Sequence, residues 1–173
     1  MSAFSVPLST IAPANRLTRS LDQLRRTLPT WLHLPAITLM VRRTIPLVGT
    51  CRLEIEAFER NRVAIKVARR RRVMNHIGSV HACVNILLAE SATGLIVGQH
   101  VPDHSMPLIK TLNVAFVRRS SGEMRAEATL TDEQIALITT TDKGETLVPV
   151  RVWDATGEAP ITVEALWAWT RKR

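Results

Sequence analysis

The sequence contains no tyrosine and only three phenylalanines among 173 residues. It therefore offers few of the flat side chains on which single-stranded nucleic-acid binders stack bases. Cysteine is nearly missing as well. Cys51 and Cys83 are too few for a disulfide framework, so a reducing cytoplasm is the default compartment. The longest apolar stretch, Ala82 to Val97, is broken by Asn85, Glu90, Ser91 and Thr93. No uncharged run reaches the roughly 18 residues that a membrane-spanning helix needs. No secretory core stands near the N-terminus. No acid precedes Asp22 in a start that carries Ser and Arg. Such a start leaves a transit peptide open, although the helical pattern from Asn15 reads more simply as folded structure.

What is present is a single-domain length with 46% apolar residues, enough to bury a substantial core. The net charge is +8. Its sharpest cluster is Arg69-Arg70-Arg71-Arg72, which reads first as a solvated basic face. A basic nucleic-acid-binding module is the other reading of that charge, and the shortage of aromatics makes it the weakest.

Periodicity organises the chain. Residues 1–14 are rich in Ser and Pro and read as irregular. Asn15 is a good N-cap, and Leu17, Leu21, Leu24 and Leu28 fall on one helical face that stops near Pro29. A second, short helix is expected between Trp31 and Arg43. These helices read as packing on the domain, with membrane-surface association through their Arg-rich face as the alternative. From Gly49 the period becomes two. Cys51, Leu53, Ile55 and Ala57 form one expected strand, and Val63, Ile65 and Val67 the next, joined around Arg60-Asn61. A polar Asn75–Gly78 loop then leads into a helix expected from about Ser79 to Val97, with Gly98 as its C-cap. Further strands are expected over Leu108–Val117 and Met124–Leu130, turned by Ser120-Ser121-Gly122. Thr131-Asp132-Glu133-Gln134 is a capping box for a short helix ending at Lys143-Gly144. Val148, Val150 and Val152 alternate in a fifth strand. Ile161, Val163, Ala165, Trp167 and Trp169 alternate in the last, after an Asp154–Gly157 turn. Trp153, Trp167 and Trp169 read as strand packing.

Six strands with one long apolar helix after the second give an α+β domain. The helix is apolar on most of its circumference, so the sheet must curve around it or a second subunit must cover the rest. Within it, Glu90 stands among Ile86, Leu87, Leu88 and Ala92. A buried carboxylate costs several kcal/mol unless it is paired, hydrated or used, whereas a lone Glu on a helix is more often solvated. The loop before the helix supplies complementary groups. Asn75 and His81 offer side-chain hydrogen bonds, and the helix N-terminus offers free N–H groups for an oxygen that becomes negative.

Asn75, His81 and Glu90, spaced by six and then nine residues, resemble the active-site signature of the hotdog-fold acyl-CoA thioesterases. The similarity is to the phenylacetate-degradation type. That pattern runs Asn or Gln, five residues, His-Gly-Gly, a helix, and an Asp or Glu nine residues after the His. The chain is similar from about Val48 to its end, which implies a hotdog domain over 48–173 with an N-terminal helical extension over 1–47. The fold implied is a curved antiparallel sheet wrapped around a long central helix. The activity implied is hydrolysis of an acyl-CoA or acyl-carrier thioester, without metal or organic cofactor, in a cytoplasmic homodimer or homotetramer.

The resemblance also implies roles. Glu90 is the general base or the nucleophile. Asn75 orients water. His81 bonds the thioester or fixes the loop. The N–H of Ala82 or Cys83, with Gly78 in the preceding turn, serves the oxyanion site. Arg69, Arg70, Arg71 and Arg72 end three residues before Asn75 and are candidates for CoA phosphate. Ser105 and Thr111 are candidates for an assisting hydroxyl. One departure is plain: the usual Gly-Gly after His is Ala82-Cys83, which puts a methyl and a thiol near the carbonyl's place. That keeps a non-catalytic acyl-CoA or lipid-binding hotdog protein as the alternative.

Other readings stay beside these. His81 reads equally as a structural cap, and Asn75 as a left-handed turn residue. Cys83 reads as a small buried hydrophobe. His100 and His104 have metal-like spacing, but Pro102 breaks any helix that would join them. The hydratase pattern Asp-x-Asn-Pro-x-His does not occur.

One helix cannot supply both halves of a thioesterase site. Ala82 and Glu90 are eight residues apart, about 12 Å along an α-helix, whereas both groups must meet one carbonyl. Two antiparallel copies can bring them together.

Overall fold

The structure is a computed structural model, and it describes residues 15–172. The irregular segment expected over 1–14 lies outside the described residues. Asn15 caps α1 (Arg16–Thr27): its side chain accepts from Thr18 N, and the Thr18 hydroxyl returns a bond to the Asn15 backbone. The Asn15 amide also donates to the carbonyls of Gly98 and Val101, at 2.7 Å each. The cap thus ties the start of α1 to a loop more than eighty residues away. A single 3-10 turn over Thr30–Leu32 precedes α2 (His33–Thr44), which accommodates Pro35 in its first turn. Pro46 opens α3 (Pro46–Cys51), a helix absent from the sequence expectation. Cys51 is therefore helical, and the strand begins only at Glu54. The reversal occurs at Arg52, in the left-handed region at φ 51°, which ends α3 before the period-two residues take over.

The strands are β1 (Glu54–Phe58), β2 (Arg62–Val67), β3 (Ser105–Phe116), β4 (Met124–Thr129), β5 (Gly144–Val148), β6 (Val150–Asp154) and β7 (Ile161–Arg171). They form two antiparallel sheets, ordered β1-β2-β4-β6 and β3-β7-β5. Seven strands replace the six expected because Pro149 divides the Val148–Val152 run. β5 pairs with β7, whereas β6 pairs with β4, so the chain changes sheets at the residue that has no N–H to give a ladder. α5 (Asp132–Thr140) carries the expected capping box between Thr131 and Gln134 and stops short of Lys143.

The long helix α4 (Ala82–Gly98) starts three residues later than expected. Gly98 is its last residue and not a left-handed cap; Gln99 closes it in right-handed geometry. Both sheets contact α4, and Leu88, Ala89, Ala92 and Ile96 are fully buried there. Leu21, Ile37 and Val41 of the N-terminal helices join the same core. This is the α+β hotdog architecture that the resemblance implies. The less covered side of α4 is a single stripe of Ala82, Cys83, Ile86, Leu87, Glu90, Gly94 and Gly98, adjacent on one helical face.

Candidate active site

The segment before α4 is a tight, backbone-paired excursion. Met74 bridges Val80, Asn75 N donates to Ser79 O, and His81 N donates to Val73 O at 2.8 Å. Gly78 sits at φ +80°, a conformation that favours glycine. Asn75 is not in the left-handed region, which removes the turn-residue reading based on its backbone. Its side chain still serves the loop. Oδ1 accepts from Ile77 N at 3.2 Å and from Ser79 N at 3.0 Å, while Nδ2 keeps its donors free of partners among the described residues.

His81 is the N-cap of α4. Its Nδ1 accepts from Cys83 N at 3.1 Å, so the ring proton of the neutral form sits on Nε2. This has a consequence for the oxyanion site. The Cys83 N–H is spent on His81, while Val84 and Asn85 donate to the His81 carbonyl. Among the described residues, the Ala82 N–H is the first-turn donor left without a partner. The Cys83 thiol is exposed, which corrects the expectation that it is a buried hydrophobe. It stands at the second position of α4, on the helix's less covered side.

Glu90 lies eight residues along α4 from Ala82, about 12 Å at helical rise. One chain therefore does not bring these two groups together. Glu90 is half-buried, and burial pushes its carboxyl above the usual range, opposed only by a long contact from the Ser91 hydroxyl at 3.5 Å. It makes no ion pair among the described residues. A fully solvated helix carboxylate would not show the burial-driven shift. Beside it, Gly94 leaves room for an indole: a Cβ there would come within 2.8 Å of Trp167 Cη2 and 3.7 Å of Glu90 Oε1. Trp167 Nε1 is buried with no hydrogen-bond partner, as is Asn85 Oδ1 one turn into α4. Sequence reading missed both, since a strand tryptophan and a helix asparagine carry no local signal of being unpaired.

The arginine run divides. Arg69 Nε donates to Gly78 O at 2.6 Å, and Arg70 Nη2 to Cys51 O at 2.7 Å. Arg71 and Arg72 are exposed on a 3-10 turn. Arg119, from the β3–β4 loop, donates to Ser79 Oγ at 3.1 Å and to Ile77 O. Arg69, Arg119, Ser79, Ser120 and Gly122 line a polar cavity of about 300 Å³. A larger hollow of about 500 Å³ lies on β3, β5 and β7, but its Lys110 and Glu145 pair with each other. His100 is buried with Nε2 against Arg60 O, and His104 meets Asp142, so the two rings serve separate contacts. Ser105 is buried near Asp142 O, while Thr111 is exposed beside the β3 bulge.

A family model described as a domain of unknown function, DUF4442, matches residues 35–169. The chain belongs to that family. Solved structures agree on the fold. A Pseudomonas aeruginosa protein described as a probable thioesterase superposes with TM-score 0.70 at 25% identity, over 84% of this chain and 97% of that one. A thioesterase from Haemophilus influenzae superposes with TM-score 0.61 at 17% identity, over 80% and 90%. A Bacillus halodurans protein solved with CoA gives TM-score 0.62 at 18% identity, over 96% and 100%. No curated protein matches the sequence. The chain thus stands in a thioesterase-like family of hotdog fold. No helix among the described residues is long and apolar enough to cross a membrane.

Proposed function

We propose that this DUF4442 protein hydrolyses acyl-CoA thioesters, with Glu90 as general base or nucleophile and the Ala82 N–H as oxyanion donor. The observation that carries the reading is Glu90 itself: an unpaired, half-buried carboxylate on the open stripe of α4, with its pKa raised by burial. Such a group is a stronger base than an exposed carboxylate, which suits it to take a proton from water. A probable thioesterase of the same fold and a CoA-bound one support the substrate class. The phenylacetate-degradation branch remains part of the proposal.

The site is a composite of two copies. Glu90 of one copy and Ala82 of the other meet when the α4 stripes pack antiparallel, and β3, at the free edge of its sheet, supplies a strand for pairing. Asn75 Nδ2 then orients the water, and His81 holds the first turn of α4. The division into an extension over 1–47 and a hotdog domain over 48–173, and a cytoplasmic place of action, belong to the same proposal. The departure from Gly-Gly leaves the Ala82 N–H free as the donor, and the exposed Cys83 thiol stands on the same open stripe of α4 as Glu90.

The test is Glu90→Gln against short, long and aromatic acyl-CoAs. Turnover should fall at least about 100-fold with the fold retained. Unchanged turnover in the folded variant sinks the role of Glu90, and no turnover by the wild type on any acyl-CoA returns the protein to the non-catalytic binder.

A further inference from the structure

Two guanidinium groups converge where no acid neutralises them. Arg69 reaches the Asn75–Ser79 turn from before it, and Arg119 reaches the same turn from the β3–β4 loop. Neither takes part in an ion pair among the described residues, and both spend N–H groups on neutral oxygens of that turn. The nearest buried acid, Asp154, is engaged elsewhere. It accepts from Arg118 at 2.9 Å, from Ser121 N at 2.8 Å and from Thr156 N at 2.9 Å. Those bonds fix the Arg118–Gly122 loop and hold Arg119 over Ser79. Ser79, itself buried, donates to Ser120 O and accepts from Arg119, which locks the two loops together. The cavity between them is also where a side chain at Gly78 would crowd Arg69, since a Cβ there lies 3.3 Å from Nη2. The result is a pre-organised polar pocket with two uncompensated positive charges, a geometry suited to a phosphate oxyanion.

We infer that Arg69 and Arg119 bind the phosphate that esterifies the pantetheine arm, and not the 3′-phosphate of the CoA ribose. The inference rests on the thioester reading and adds the carrier's binding point. Its position comes from reach. Ser79 and Ala82 are three residues apart, at most about 11 Å between Cα atoms, so the pocket lies close to the free N–H of the same chain. From a thioester carbonyl held there, the pantetheine phosphate is the first anionic group met along the carrier. The 3′-phosphate lies beyond the diphosphate and the ribose. That first phosphate is shared by CoA and by the phosphopantetheine of an acyl carrier protein.

Calorimetric titration of the full chain with CoA, dephospho-CoA, 4′-phosphopantetheine and pantetheine reads binding without turnover. Dephospho-CoA should bind within about 3-fold of CoA, and pantetheine at least about 10-fold more weakly than phosphopantetheine, the scale of a charge-assisted contact. Arg119→Gln should remove the difference between the last two ligands, while Arg26→Gln, an exposed charge on α1, should preserve it. Should Arg119→Gln fail to fold, inorganic pyrophosphate added to the wild type should protect Arg69 and Arg119 from phenylglyoxal, read by mass spectrometry. A loss for dephospho-CoA as large as for pantetheine, an equal loss for all four ligands in Arg119→Gln, or no protection overturns the inference. Comparing CoA with a phosphopantetheinylated carrier protein tells which carrier brings the phosphate; both binding no better than pantetheine overturns it as well. Phosphate-dependent binding in a protein that hydrolyses no thioester leaves this inference standing and sinks the function proposed above.

Discussion

Glu90 is set against itself by its surroundings. Burial holds its carboxyl above the ordinary value. A group whose folded pKa is raised stabilises the fold below its unfolded pKa, and that contribution disappears as pH rises through the folded pKa. Wild-type stability should therefore decline across that interval, whereas Glu90→Gln, neutral throughout, should not share the decline and should be at least as stable at pH 7. Thermal melts over a pH series check this. Under the proposed mechanism the carboxylate is the active form, so hydrolysis should climb as Glu90 ionises. His81 gives a second prediction. Its ring is the only side-chain cap of α4, so His81→Ala should cost about 1 kcal/mol by urea melt. It should also release the Cys83 N–H. The spacing of Asn75, His81 and Glu90 was visible in the sequence. Which N–H each side chain consumes was not, because that depends on the turn geometry of residues 73–81.

At the scale of elements, glycine and a buried acid decide how the layers fit. Gly94 lets α4 approach β7 at Trp167, and a Cβ would stand 2.8 Å from the indole. The indole is only 5% exposed, which leaves it little room to move aside. Gly94→Ala should destabilise by about 1–3 kcal/mol despite the better helix former, read as a lower urea midpoint with unchanged slope. Asp154 has the same importance for the loops. Burial alone would raise its pKa, but the Thr156 hydroxyl, the N–H groups of Ser121 and Thr156, and Arg118 together hold it below the usual carboxylate range. Its contribution is present at neutral pH and is lost as acid takes the pH down through that lowered value. Asp154→Ala should cost about 2 kcal/mol or more by the same melt, because it strands buried donors. The turn residues around Asp154 and Gly122 were readable in advance. The pairing of Arg119 with Ser79 was not, since the two lie forty residues apart and share no periodic pattern.

For the whole molecule, the proposed composite site uses the open stripe of α4 and the free edge of β3 to seat a second copy. Light scattering at micromolar concentration should report a dimer or a dimer of dimers. A stable monomer with full activity would contradict the composite site, since about 12 Å of helix separates Glu90 from Ala82 in one chain. Met106, Leu108, Ile109 and Phe116 are exposed on β3 in the single chain. They should become protected from solvent exchange on assembly, which hydrogen-exchange mass spectrometry can follow.

The sequence by itself determined the α+β class, the long central helix and the Asn–His–Glu spacing, because periodicity and local capping are properties of neighbouring residues. It also determined the cap at Asn15 and the capping box at Thr131, where a few adjacent side chains satisfy their own backbone. Only the tertiary structure decided that Pro149 moves the chain between sheets, that Cys51 ends a helix, and that the Cys83 thiol faces outward. It alone put Arg119 over Ser79 and Trp167 over Gly94. Those outcomes depend on which distant surfaces meet, and the free energy that selects among them comes from burial and pairing across the fold, which no local pattern encodes.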